Sequence, residues 1–223
     1  MQDLKTSDLF LTSDSSIAYD YVMSFDFPWQ ALSGIGDLIW KIGGELDEGE
    51  YRQAEPGVWI GENAKVAESA CICPPCIIDK GAEVRHCAFI RGNAIIGKGC
   101  VIGNSCEIKN SIIFDGAQIP HYNYVGDSII GYRAHMGAGS ITSNVKSDKS
   151  LVTISKNGEK TDTGLRKMGA ILGDFVEIGC GAVLNPGTVI GVNTTVYPLS
   201  LVRGYVPSDS IYKSSGVTVK RKR

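Results

Sequence analysis

Large apolar residues recur at every sixth position from Ile60 onward: Ile60, Val66, Ile72, Ile78, Val84, Ile90, Ile96, Ile102, Ile108 and Phe114. Four residues further on in each unit stand Ala64, Ala70, Cys76, Ala82, Ala88, Ala94, Cys100, Cys106, Ile112 and Gln118, and eight of these ten are Ala or Cys. A helix repeats at 3.6 residues and an alternating strand at 2, so a strict six predicts a repeat architecture instead. A short strand needs one branched aliphatic facing inward. A tight corner needs one small inward residue, because large side chains from three walls cannot all meet at the axis. Six residues then make one wall and one corner. Three units close a triangular coil, and coils stack at ~4.8 Å. The pattern predicts an all-β chain wound as a single-stranded parallel β-helix.

The period is interrupted, and the interruptions divide the chain. Residues 1–54 lack it. There Tyr19, Tyr21, Phe25, Phe27 and Trp29 cluster, and Leu32, Ile35, Ile39 and Ile42 fall at helical spacing after Pro28. Gly43-Gly44 is expected to end that helix, and a solenoid needs a cap on its first coil, so 1–54 is read as a capping segment with one helix. Repeats fill 55–207. Their phase slips over Ile119–Ser128, resumes with Ile130 and Met136, and breaks again after Asn144. Residues 145–168 contain Leu151-Val152-Thr153-Ile154-Ser155 followed by Asn157-Gly158, a strong hairpin signal, and are expected to protrude as an inserted arm. Leu172, Ile178, Leu184, Ile190, Val196 and Val202 carry the third run, which Pro207 closes. Residues 208–223 are left as a basic tail.

Composition narrows the function classes. The formal charge over 223 residues is −2, which gives no global field for nucleic acid. The exception is the end, where Lys213, Lys220, Arg221, Lys222 and Arg223 read as a solvated tail or as an electrostatic contact. No secretory leader or membrane span is expected. Seven cysteines, three of them at inward corners, suggest packing thiols in a reducing cytoplasm rather than a zinc site.

Candidate chemistry gathers at the slips. Of three histidines, His86 lies within a regular unit and reads as surface, whereas His121 lies at the first slip ahead of Tyr124 and Asp127. An imidazole is the side chain suited to take a proton near neutrality. Arg91 and Lys109 are 18 residues apart, one full coil, so their backbones should stack on one wall. Two cations so placed either splay into water or hold an anion between them.

Two blocks make the pattern specific. These are His121-Tyr122-Asn123-Tyr124-Val125-Gly126-Asp127 and Gly137-Ala138-Gly139-Ser140-Ile141-Thr142-Ser143-Asn144. With the return Thr163–Ala170, they resemble the acetyltransferase domain of bifunctional glucosamine-1-phosphate N-acetyltransferase/N-acetylglucosamine-1-phosphate uridyltransferases. The resemblance is nearest to the archaeal-type sugar-1-phosphate nucleotidyltransferase/acetyltransferases, and it covers roughly residues 55 to 206. It implies a left-handed β-helix and an acetyl-CoA-dependent N-acetyltransferase for an amino-sugar phosphate such as glucosamine-1-phosphate, in nucleotide-sugar synthesis. It also implies no metal in acetyl transfer and a homotrimer. By the same resemblance His121 is a catalytic base and Asn144 lies near the acetyl group. Arg91 and Lys109 hold the sugar phosphate, and Tyr124 and His135 contact the sugar. Ala138, Gly173, Asp174 and Val192 line the acetyl-CoA wall. Family members often carry Asn where this chain has His135. Residues 1–50 show no Gly-rich phosphate loop, so the nucleotidyltransferase chemistry has no basis in this sequence.

Two other readings share the fold. A non-catalytic partner of a separate sugar nucleotidyltransferase would need none of these side chains. A γ-carbonic-anhydrase-like metal enzyme would need three converging histidines.

Overall fold

The computed structural model describes residues 3–213 and 216–221. Short strands wind into a left-handed, three-walled β-helix of about nine turns. The first wall carries Val58–Gly61, Cys76–Ile78, Ala94–Ile96, Ala170–Leu172 and Thr188–Ile190. The second carries Val101–Asn104, Gln118–His121, His135–Met136 and Glu177–Ile178, and the third Phe89–Ile90, Ile141–Thr142, Val183–Leu184 and Leu201–Val202. Two long strands, Glu107–Ile113 and Tyr124–Ile130, bend through the corner between the third wall and the first and serve both. The predicted aliphatics from Ile78 to Ile108, with their small corner partners, fill the axis.

Beyond Ile108 the interior sequence is Ile113, Ala117, Ile119, so the phase slips earlier than the repeat pattern suggests. Asn110, at φ 45°, turns the third-to-first corner with one residue fewer, and Asp127, at φ 50°, does the same one coil on. Asn and Asp tolerate this left-handed region better than bulkier residues. Ile112 and Phe114, expected inward, therefore face outward, and Gln118, expected at an inward corner, is exposed. The apolar run Ile112-Ile113-Phe114 fits either phase, which is why the slip is hidden in the sequence.

The outward side of the first wall is itself apolar: Ile77, Ile95, Ile112, Ile129, Ile171 and Val189 form a second core. Left bare, such a column would expose a large apolar patch. The N-terminal segment covers it, and this corrects the single end-capping helix expected from sequence. Helices α1 (Thr6–Leu9), α2 (Tyr19–Met23) and α3 (Ile35–Glu45), with a 3-10 turn at Pro28–Gly34, bury Leu9, Phe10, Val22, Leu32, Ile35 and Ile39 against that wall. Gly43-Gly44 lies inside α3 rather than ending it. At Gly43 a β-carbon would collide with the Trp59 ring, so glycine serves close packing there.

The solenoid ends are closed by antiparallel strands. Tyr51–Glu55 pairs with Val58–Gly61 at one end, and Thr218–Lys220 pairs with Ser210–Tyr212 at the other. The basic tail is thus a closing strand as far as Arg221, whose guanidinium donates to Asn193 Oδ1 at 2.7 Å; Lys222 and Arg223 lie outside the described residues.

The hairpin predicted at Asn157-Gly158 pairs Thr153–Lys156 with Glu159–Asp162. It does not protrude. Val152, Ile154 and Met168 join the second core, and at Gly204 a β-carbon would meet the Ser155 carbonyl. Among the described residues no helix is long and apolar enough to cross a membrane.

Candidate active site

The third wall is the bare face on which the polar candidates meet. Its outward residues form two columns. Phe89, Glu107, Tyr124, Ile141, Val183 and Leu201 are register partners in succession. Two residues further along each strand run Arg91, Lys109 and Gly126, with the Arg91 amide donating to the Ile108 carbonyl. The 18-residue spacing does place Arg91 and Lys109 side by side on one wall. Neither cation is unpaired, however. Arg91 Nη1 donates to Glu107 Oε1 at 2.7 Å, and Lys109 Nζ lies 3.9 Å from Asp127 Oδ2. Repulsion between the two cations is thus relieved by two flanking carboxylates.

Tyr124 lies across Gly126, where a β-carbon would collide with the tyrosine hydroxyl. That hydroxyl receives a hydrogen bond from Asn144 Nδ2 at 3.1 Å. Burial, reinforced by the charges of Asp127 and Glu107, holds the Tyr124 phenol above its ordinary range, so it stays protonated at neutral pH. Asn144 Nδ2 also donates to Asp127 Oδ2 at 2.5 Å, and Asn110 Nδ2 donates to Asp127 Oδ1 at 2.9 Å. The arm's return fixes both: the Met168 amide donates to the Asn144 carbonyl and the Gly169 amide to the Asp127 carbonyl. Asn110 and Asp127 carry no role in the sequence reading. Their signal is the spacing: Asn110, Asp127 and Asn144 are each 17 residues apart, which is one shortened coil, so they stack on one corner.

His121 occupies the other edge of this wall, at its corner with the second wall. Its ring is exposed, and its backbone is held at both ends. The His121 amide donates to Asn123 Oδ1 at 3.0 Å, and the Gly139 amide donates to its carbonyl at 2.9 Å. Asn123 is buried and donates to the carbonyls of Gly137 and Ser140, which ties the two sequence blocks together. Ala138 shares this corner. Five residue steps separate His121 from Gly126, the register partner of Lys109, so the His121 and Gly126 backbones lie at most ~18 Å apart.

Four expected residues do not join this face. His135 sits on the second wall, between its register partners Gln118 and Glu177, with Nδ1 3.1 Å from Glu177 Oε2. Gly173 and Asp174 lie at the corner between the first and second walls, under the N-terminal segment. Asp174 is fully buried and accepts from the backbone amides of Leu11, Thr12 and Tyr132 at 2.9–3.0 Å. It staples the covering segment to the solenoid and leaves no wall there for a ligand. Val192 is at that same corner, its carbonyl taken by the Asp209 amide.

A different groove opens beside Asn144. It lies between the third wall and the folded-back arm, holds about 500 Å³, and is lined by Ser143, Lys146, Thr153, Lys160, Asn185 and Arg203 among others. The thiols at the axis are inert: burial pushes Cys76, Cys100 and Cys106 up. Among the described residues, no group of three or more His, Cys, Asp or Glu is placed to hold a metal ion, so His86, His121 and His135 do not converge.

The sequence model of the GMPPB C-terminal domain family matches residues 72–206. Over 201 residues, 88% of this chain and 48% of the relative, the sequence is 35% identical to the bifunctional protein GlmU of Methanococcus maripaludis strain C5. It is also 35% identical over 103 residues, 46% of this chain and 26% of the relative, to the bifunctional sugar-1-phosphate nucleotidylyltransferase/acetyltransferase of Sulfurisphaera tokodaii. The chain spans about half the length of the first of these relatives and about a quarter of the second. Among solved structures, a point mutant of AntD, an N-acyltransferase from Bacillus cereus in complex with dTDP-4-amino-4,6-dideoxyglucose and coenzyme A, superposes with a TM-score of 0.46 at 20% identity, over 78% of this chain and 91% of that one.

Proposed function

This chain belongs to the GMPPB C-terminal domain family, and from that premise we propose that it is an acetyl-CoA-dependent N-acetyltransferase acting on an amino-sugar phosphate. The observation that carries the reading is the third wall, where two cations, a protonated phenol and an oriented amide stand on one open face. The names of the curated relatives point the same way. Arg91 and Lys109 suit a phosphate better than their present carboxylates do, because a phosphate can bridge both. Tyr124 and Asn144 then meet the sugar, and His121 approaches the amine from the opposite edge.

The reaction needs few parts. His121 takes a proton from the substrate ammonium, the amine nitrogen attacks the thioester carbonyl, the C–N bond forms and the C–S bond breaks. The coenzyme leaves as a thiolate that takes up a proton. General-base assistance of this kind supplies roughly 10²–10⁴-fold. The Gly137 and Gly139 amides already donate to the Ile178 and His121 carbonyls, so the developing oxyanion is assigned to the Ala138 N–H between them. The groove beside Asn144, with Lys146, Lys160 and Arg203 on its walls, offers cationic partners to the phosphates of acetyl-CoA. It replaces the wall at Gly173 and Asp174, which the N-terminal segment covers.

Glucosamine-1-phosphate is the first acceptor to try and galactosamine-1-phosphate the second, because an epimer difference turns on one or two contacts. The test is thiol release from acetyl-CoA with a panel of amino-sugar phosphates, for wild type and His121→Ala. The variant should lose turnover and keep acetyl-CoA binding. Wild type inert toward every phosphate in the panel would favour a non-catalytic partner of a sugar nucleotidyltransferase.

A further inference from the structure

We infer that Asp127 is a positioning residue which fixes the polarity of Asn144 and Tyr124, so that the site offers an acceptor to an ammonium group and a donor to a phosphate; the choice of ligand rests on the acetyl-transfer reading above. Asp127 is 5% exposed. Its carboxylate takes Asn110 Nδ2 on one oxygen and Asn144 Nδ2 on the other, with Lys109 Nζ 3.9 Å from the second. An ionised carboxylate only accepts. The NH₂ of Asn144 must therefore face Asp127, and its Oδ1 must face away.

The consequence runs one residue further. The second proton of that NH₂ goes to the Tyr124 hydroxyl oxygen, 3.1 Å away. A hydroxyl that accepts there keeps its own proton to donate elsewhere, and burial keeps that proton on. Arg91 lies close enough for its charge to act on the same phenol. The face thus presents donors where a phosphate would sit and an acceptor at Asn144 Oδ1. An amino-sugar phosphate matches this polarity. A sugar phosphate with only an acceptor at the amine position does not.

Asp127→Asn tests it, because the isosteric amide can donate as well as accept and frees Asn144 to turn over. Calorimetric titration would use glucosamine-1-phosphate and 2-deoxy-2-fluoroglucose-1-phosphate. Wild type should prefer the amine by tenfold or more. Asp127→Asn should narrow the preference to about twofold and lower kcat at least tenfold, with KM for acetyl-CoA unchanged. A merely structural residue would not move the preference alone. Unchanged preference and unchanged kcat overturn the assignment.

Two readouts need no substrate. The side-chain NH₂ of Asn144 should exchange slowly with solvent in wild type and quickly in Asp127→Asn, and equal exchange overturns the assignment. If that variant does not fold, Asn144→Asp sets two carboxylates face to face. One of them should then titrate well above the ordinary carboxylate range by carbon NMR, and an ordinary titration overturns the assignment. If wild type bound neither sugar while Asn144 behaved as expected, acetyl transfer would fall and the positioning role would stand.

Discussion

The ring of Phe10 stacks on that of Phe114, with centroids 4.8 Å apart and planes 26° from parallel. Phe114 faces outward only because Asn110 removed one residue from the coil before it. The slip that shapes the polar face on one wall therefore also supplies an aromatic anchor for the N-terminal cover on another. Phe10→Ala should cost about 3–5 kcal/mol of unfolding free energy, the usual range for deleting a buried aromatic. Denaturant melts of both proteins would measure it, and a loss under about 1 kcal/mol would show that the cover contributes little.

The axis of the solenoid is plain in the sequence because one inward aliphatic every six residues has no competing explanation. The cover is harder to see. Its partners are the first residues of the doublets Ile77-Ile78, Ile95-Ile96, Ile112-Ile113, Ile129-Ile130, Ile171-Leu172 and Val189-Ile190. Such doublets mark a wall buried on both faces, and they occur on the first wall here. Asp174 illustrates the opposite failure. Sequence likeness put it on a ligand wall, yet its carboxylate is spent on Leu11 and Thr12, more than 160 residues away. Contacts at that distance are set by how an appendage folds back, which no local pattern encodes.

Arg91 is held by Glu107 in the absence of ligand. A phosphate would take over that partnership, so Arg91→Ala should raise KM for the sugar phosphate about 10- to 100-fold, the weight of a charged hydrogen bond, with a smaller effect on kcat. Glu107→Gln should do the reverse and lower KM, since it removes the competitor. Initial-rate kinetics at fixed acetyl-CoA would decide. Equal KM values across the three proteins would remove Arg91 from the phosphate site.

Asp115 gives a pH signature independent of activity. Burial, with the neighbouring Asp79 charge adding to it, raises its carboxyl above the ordinary range despite the hydrogen bond from the Lys98 amide. The folded state thus favours the protonated acid more than the unfolded chain does. The sign follows: Asp115 favours folding below its unfolded pKa and loses that contribution as pH rises through the folded one. Asp115→Asn keeps an acceptor for Lys98 without the charge. It should be more stable than wild type at about pH 7, with the gap closing as pH falls towards about 4. Parallel thermal melts across that range would show a gap independent of pH if the carboxyl were unperturbed.

The N-terminal segment and the arm cover one wall of the prism; the second and third walls remain open in the single chain. Their corner carries the most exposed apolar side chains outside the ends: Leu199 at 81%, Tyr122 at 65% and Leu201 at 63%. Leu201 belongs to the same column as Tyr124. An apolar ridge beside a polar site is costly to leave in water, and packing between copies about a closed threefold axis would bury it without leaving an open end. We propose three copies, the number the family resemblance implies, so light scattering should give about three times 23.9 kDa. Leu199→Glu with Leu201→Glu should give a monomer that still melts cooperatively, because neither residue belongs to the core. If acetyl transfer disappears with the trimer while the melt is retained, the neighbouring copy completes the site. If the monomer stays fully active, one chain holds every group the reaction needs.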